Sequence, residues 1–351
     1  MKMRKKSLWM LLVVAMLVFA VALVGCGDNN NNDNNNNNTG EPGADYPTSL
    51  RDLEGMRVGS GPAAGTIGTF GPRFFEVLGI DASIEHGGIG DLVEAQADGL
   101  LEANGFAAGI PVSAFREYEV TQGADNVVFI GLDGADRDAI LEEWPFFARA
   151  VIPADTYDAL DADLETVGVW NVAISHKTLD ADIVYDMVKA VMENNDAMLD
   201  AHAAAIETVP ENIEHMSIIP LHPGAIRYFE EEGFTIPDEL RPDDSDVEYV
   251  SPSTLTIGTA SVGGTYYLYG QGWANVAQSA LGFGVSVEQT DGPNHNLMNI
   301  QDGDFMLGMT TMGPAYEAWY GLEAWTGGIE HTDVRSLFPM YNTYFHWMAN
   351  K

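Results

Sequence analysis

Glycine-rich turns that lead into candidate helices are where this chain shows its clearest chemistry. The stretch "LTIGTASVGGTYYLYGQGW", residues 255–273, reads as a short apolar strand, a loop of small residues, and a helix opening at Gly263-Gly264-Thr265-Tyr266-Tyr267. Gly61-Pro62-Ala63-Ala64-Gly65-Thr66, Gly88-Ile89-Gly90-Asp91 and Gly292-Pro293-Asn294 repeat the pattern. Glycine lets backbone N–H groups come close to a ligand, and a helix N-terminus adds roughly half a positive charge. The chemistry on offer is anion binding, with Thr66 and Thr265 as further hydroxyl donors. A phosphate P-loop is excluded, because no Gly-Lys-Ser/Thr follows either loop, and no G-x-G-x-x-G opens the fold. Any single loop of this kind is ordinary turn chemistry by default. Four in strand-to-helix positions favour a shared ligand.

Other chemistries find less support. His86, His176, His202, His215, His222, His295, His331 and His346 form no H-E-x-x-H or other compact metal spacing, so no metal or cofactor is expected. No G-x-S-x-G elbow is present for a serine nucleophile. Asp133 and Asp136, or Glu142 and Glu143, read as solvated helix faces rather than the separated carboxyls of a glycosidase. The acidic block "PDELRPDDSDVEYV" lacks the glycine and closing glutamate of an EF-hand. No constellation demands an enzyme. Tyr266, Tyr267, Tyr269, Tyr316, Trp319 and Tyr320 are explained mostly by helix packing, although Tyr266 beside the turn is placed to offer a hydroxyl or a ring face.

Short apolar runs alternate with amphipathic helical patterns from residue 53 onward. Strands are expected at "MRVGSG", "DASIEHG", "EANGFAAG", "NVVFIGLD", "TVGVWNVAISH", "STLTIGTA", "GVSVEQTD", "FMLGMTT" and "VRSLFPMYNTYFHWMA". Helices are expected at "TFGPRFFEVLG", "GDLVEAQADG", "AFREYEVTQG", "DRDAILEEWPFF" and "DADIVYDMVKAVMENNDAMLDA", and over 264–280, 293–302 and 313–320. This alternation argues for an α/β protein with mainly parallel sheets and a ligand beyond the carboxyl ends of the strands. Two strands, 166–175 and 334–348, are longer than one sheet needs, and such strands suit a crossover between two lobes with a cleft between them.

Charge bounds the partners. The chain carries 52 acidic and 16 basic residues, a formal charge of −36. Lys2, Arg4, Lys5 and Lys6 precede an apolar run from Leu8 to Val24, the pattern of a signal peptide over 1–26. Without that segment twelve basic residues face 52 acidic ones, a formal charge of −40. Such a surface repels nucleic acid and anionic headgroups and suits a high-salt habitat. Leu23-Val24-Gly25-Cys26 resembles a bacterial lipobox, which implies lipidation at Cys26, and the alternative is an uncleaved anchor holding a chance cysteine. Either way the expected location is extracytoplasmic and tethered to the membrane. The Asn-rich stretch 27–46 reads as a flexible tether.

The runs "STLTIGTASVGGTYYLYGQGWANV" and "VEQTDGPNHNLMNIQDGDFMLGMTT" resemble the beginning of the TAXI class of TRAP transporter solute-binding proteins. Residues 50–120 resemble the middle of that family, and "EEWPFFARAVIPADTYDALDADLETVGVWNVAISH" with "IPLHPGAIRYFEEEGF" its later part. The order is inverted: the half that opens the family comes second here, and the acidic segment 237–252 bridges the usual termini. The resemblance therefore implies a circularly permuted, two-lobed, type II-like periplasmic-binding-protein fold. One lobe would comprise 47–165 with 342–351 and the other 166–341. It further implies a small organic anion as ligand, such as a glutamate-like amino acid or a 2-oxo or dicarboxylic acid. Delivery would be to a TRAP membrane subunit with fused small and large permease components. Carried over by position, Gly263, Gly264, Thr265, Tyr266, Asn296 and Thr311 would serve one lobe, and Gly65, Thr66, Gly109 and Pro111 the other. Thr311-Met312-Gly313 stands where relatives often carry Gln-Asn-Asp, and Ala63-Ala64-Gly65-Thr66 replaces the usual G-S-G-T, so two polar contacts of the family pattern are missing. The competing readings are a surface sensory module reporting to a membrane kinase or receptor and, third, an exported hydrolase.

Overall fold

A computed structural model describes residues 45–351, so the signal peptide, Cys26 and nearly all of the tether lie outside the described residues. Ten strands and ten α-helices follow in chain order: β1 (Arg57–Gly59), α1 (Thr66–Leu78), β2 (Ser83–Glu85), α2 (Ile89–Ala97), β3 (Ala103–Ala108), α3 (Ser113–Gln122), β4 (Val127–Ile130), α4 (Gly134–Glu143) and β5 (Ala148–Ile152). After the long β6 (Leu164–His176) come α5 (Ala181–Glu193), α6 (Asn195–Leu199), α7 (Pro223–Glu231), β7 (Thr254–Gly258), α8 (Thr265–Leu281), β8 (Gly284–Glu288), α9 (Pro293–Gln301), β9 (Leu307–Thr311) and α10 (Met312–Trp319). The last strand, β10 (Val334–Asn350), is the longest.

Strand order is β2-β1-β3-β10-β6-β9-β7-β8, with β4 added to β10 and β5 to β6. At one end β1 runs parallel to β2 and β3; at the other β7 runs parallel to β8 and β9. Between these two α/β lobes run β6 and β10, paired antiparallel from Val334↔His176 to Tyr344↔Gly168. The first part of β10 lies in the lobe of β7–β9, and its last residues pair with β3 and β4 in the other. Two long strands thus cross from lobe to lobe, as their length implies. Sheets are not mainly parallel, however, because both crossovers meet their neighbours antiparallel.

Local chemistry explains where the elements stop. The helix expected through "DRDAILEEWPFF" ends at Glu143, since Pro145 pushes Trp144 into extended backbone (φ −127, ψ 101). The following residues instead form β5 against the first half of β6. The long helix expected over 180–201 breaks at Asn194, whose side-chain amide donates to the Ala190 carbonyl at 2.6 Å and competes with the backbone ladder. At the N-terminus of α5, Asp180 accepts from the amides of Asp182 and Ile183, a cap that polar residues before helices supply. Helix α7 was not legible as one; His222 caps it through Nδ1 and Pro223 occupies its first turn.

Aromatic packing ties each lobe to the crossovers. Phe74 lies against Phe345 and Phe147 with centroids 4.9 and 5.3 Å apart, and Trp273 meets Phe338 edge-on at 5.2 Å. Such buried rings supply much of a core's transfer free energy. Among the described residues no helix is long and apolar enough to cross a membrane.

Candidate functional site

Helices α1 and α8 both begin at the mouth of one cavity between the lobes. Each follows a strand of its own lobe, β1 or β7, through a glycine loop. Gly65 and Gly264 are the N-cap residues, both in extended backbone, and neither helix has a side-chain cap. The amides of Thr66, Ile67 and Gly68, and of Thr265, Tyr266 and Tyr267, find no acceptor among the described residues. Two sets of orphan donors, each at a positive helix end, therefore face the same space.

That space has a volume of about 430 Å³ and is partly open to solvent. Its walls are Pro62, Gly65, Thr66, Ile67, Phe106, Ala107 and Ala108 from one lobe. Ala260, Ser261, Gly264, Thr265, Tyr266, Asp291 and Pro293 come from the other, with Asn171 and Thr343 from the crossovers. Among the described residues no lysine, arginine or histidine lines it. Direct hydrogen bonds between the lobes make this the closed form of the cleft.

The lobes interlock around the cavity. Thr265 Oγ1 donates to the Gly109 carbonyl at 2.6 Å, and the hydroxyls of Thr66 and Thr311 lie 3.1 Å apart. The Asn294 amide donates to the Ala64 carbonyl at 3.1 Å, and its side chain to Thr69 Oγ1 at 3.2 Å. Gly264 is held by close approach: a Cβ there would meet Phe106 Cζ at 3.2 Å. Gly292, at φ +108, would bring one to 3.1 Å from Gly65 Cα, so backbone conformation and contact both require glycine.

Of the residues singled out from sequence, Gly65, Thr66, Gly264, Thr265 and Tyr266 line the cavity together. The other five do not. Gly263 lies behind the α8 turn at φ +87, its carbonyl accepting from the Ala114 amide across the lobes at 3.4 Å. Thr311 and Gly109 sit one bond further out, as the partners of Thr66 and Thr265. Pro111 follows a cis peptide, and its carbonyl lies 3.3 Å from His202 Nε2. Asn296 is fully buried inside its own lobe, donating to the Thr259 and Met309 carbonyls and accepting from Thr290.

Sequence reasoning missed Asn171 and Thr343 on the crossovers. Asn171 accepts from the Tyr266 hydroxyl at 2.6 Å and donates to the Tyr341 carbonyl and Thr343 Oγ1 at 2.7 and 2.6 Å. Burial keeps the Tyr266 and Tyr341 phenols well above their ordinary pKa, so Tyr266 is a neutral donor. The available signal was an Asn inside the otherwise apolar run "GVWNVAIS". Ser261 was also passed over, though it stands in the loop that feeds α8. It is 2% exposed as a residue, and its hydroxyl, not sealed from the cavity, makes no hydrogen bond to another described residue.

Two parallel-stranded lobes, two antiparallel crossovers and a cleft between them define a two-lobed periplasmic-binding-protein-like fold, the architecture of solute-binding proteins. The chain belongs to the NMT1-like family, whose model matches residues 44–233 and 257–351. Similar solved structures include a binding protein of an ABC phosphonate transporter from Pseudomonas aeruginosa, with 8% identity over 84% of this chain and 69% of that one and a TM-score of 0.37. The tungstate ABC transporter from Geobacter sulfurreducens gives 13%, 85% of each chain and 0.38. A phosphate-binding protein from Streptococcus pneumoniae TIGR4 gives 12%, 84% and 89%, and 0.34. At such scores the fold rests on its own strand order rather than on these likenesses.

Proposed function

We propose that this protein is an extracytoplasmic solute-binding receptor that closes two lobes on a small organic anion and presents it to a membrane permease of the TRAP type. The observation that carries the reading is the convergence of two uncapped helix N-termini, α1 and α8, on one interlobe cavity. Backbone amides at helix ends hold carboxylates and phosphates without a cationic side chain. Tethering through a lipidated Cys26 and residues 27–46 would keep the receptor beside its permease. The lobes would comprise 47–165 with 342–351, and 166–341. That division is supported by two long strands that each pair with both lobes, although β6 stays paired with β5 as far as Gly168. Circular permutation is supported by two observations. Residues 234–256, around the acidic bridge, lie outside the family match, and the Lys351 ammonium sits 5.8 Å over the Tyr46 ring.

A thermal-shift screen with lactate, pyruvate, glutamate, 2-oxoglutarate and short-chain acids, at fixed ionic strength, tests this directly. Ligand bound only to the native state must raise the melting temperature, by an increment equivalent to about 2.7 kcal/mol at a hundredfold excess over Kd. A folded protein that responds to no anion would end the reading.

A further inference from the structure

We propose that the ligand is a compact monoanion, a carboxylic acid whose remaining end is uncharged, and that Ser261 fixes its orientation. This rests on the anion-binding reading above and narrows it by charge. Two helix N-termini supply about half a positive charge each, which together neutralise roughly one carboxylate. Among the described residues nothing else lining the cavity is cationic, and Asp291 is the acidic residue on its wall. Arg73, about two turns into α1 and outside the cavity wall, is engaged by Glu317 and Glu323. A second carboxylate would enter a space without a compensating charge, inside a chain of formal charge −36.

The polar side chains on the wall point to the same ligand class. Thr66, Thr265, Tyr266, Asn171 and Thr343 are each hydrogen-bonded to the protein. Among the uncharged polar side chains Ser261 is the exception. On the cavity wall and 2% exposed as a residue, it makes no side-chain hydrogen bond to another described residue, and its oxygen is not sealed from the cavity. A hydroxyl in that state is satisfied when a bound group reaches it, and it sits in the loop whose next turn offers the α8 amides. The remaining surface is Ile67, Phe106, Ala107, Ala108, Ala260 and Pro293, which suits a short uncharged body.

Isosteric pairs that differ by one charge test the rule: succinate against succinamate, and glutarate against glutaramate, by calorimetry on the whole protein at neutral pH and constant ionic strength. The monoamides are expected to bind at least about 30-fold more tightly than the diacids, because each leaves no unpaired charge in the cleft. Equal or tighter binding of the diacids overturns the monoanion rule and leaves the anion-binding reading standing. Binding of none of the four, with no response in the wider acid screen, fells that reading as well. Ser261→Ala should weaken the monoamides about 10-fold, as loss of one hydrogen bond to a charged group does. Because its hydroxyl is unpartnered without ligand, the unliganded melting temperature should stay unchanged. Unaltered affinity in that variant removes Ser261 from the site.

Discussion

Arg73→Ala should weaken ligand binding without touching the ligand. Arg73 on α1 reaches across to Glu317 on α10, Nη1 to Oε1 at 2.5 Å, and Nη2 lies 3.6 Å from Glu323. The guanidinium stacks over Phe70 at 5.1 Å, and Glu317 Oε2 accepts from Trp325 Nε1 at 2.6 Å. The Glu317 side chain is 5% exposed and that of Arg73 25%, so the pair is largely shielded when the lobes meet. Breaking a fully buried pair costs about 3–5 kcal/mol. Residual solvent at Arg73 and the retained Trp325 bond lower this to about 2 kcal/mol against the closed state. If the free protein is mostly open, that becomes about a 30-fold rise in Kd, carried mainly by faster dissociation. If it is mostly closed, the change is smaller and appears as a larger radius of gyration without ligand. Calorimetry with small-angle scattering on wild type, Arg73→Ala, Glu317→Gln and the double variant separates the cases. A lower melting temperature with unchanged Kd and unchanged radius would refute a role of the Arg73–Glu317 pair in closure, since the pair would then hold the fold instead.

Two further outcomes concern stability. His222 and His346 are buried with pKa values lowered to about 4, chiefly by burial, and the unfolded chain takes up protons near 6.5. The native state binds fewer protons in that window, so stability is greatest above about pH 6.5, declines as pH falls, and loses nothing more to these groups below about 4. Melting curves across the window should flatten in His346→Gln, and an unchanged slope would exclude His346 as a cause. Asp244, in the acidic bridge, pairs with Arg335 at the start of β10, Nε to Oδ2 at 3.0 Å, with side chains 5% and 7% exposed. Asp244→Ala should cost about 3–5 kcal/mol in urea unfolding by leaving Arg335 buried and unpaired. A loss under about 1 kcal/mol would mean the bridge is only loosely anchored.

Most of the fold was legible because its signals are local. Strand–helix alternation, glycine loops and the unusual length of β6 and β10 gave two lobes and a crossover, and those features depend on neighbours in sequence. What was not legible depends on pairing. Whether β6 runs parallel or antiparallel to β9 cannot be read from either strand, and β5 exists because the start of β6 offers it an edge. The site followed the same division. Thr66 and Thr265 were findable from their loops, whereas Asn171 and Thr343 come from crossovers far away in sequence and meet Tyr266 only in the folded chain. Asn296 illustrates the converse: an amide in a glycine-rich neighbourhood serves the interior of its lobe.

That division has a consequence for how the cleft recognises anything. Thr66, Thr265, Tyr266 and Asn171 would each be taken for a ligand contact from its place on the wall, yet each is bound to another protein group. Two of those bonds, Thr66 to Thr311 and Thr265 to Gly109, run between lobes and exist only while the cleft is closed. The hydroxyls of Thr66 and Thr265 therefore stabilise closure, and on the reading proposed above the contact with an anion is left to Ser261 and to the helix-end amides that no side chain caps. Backbone amides read charge and geometry but little of the remaining body of a ligand. On that reading discrimination comes from the apolar wall, the Ser261 hydroxyl and the lack of a second positive charge. Alanine substitution at Thr66 or Thr265 would raise Kd through the closing equilibrium and leave the preference among acids unchanged, while substitutions that add a cation or enlarge the wall at Ala107 or Ala260 would alter that preference.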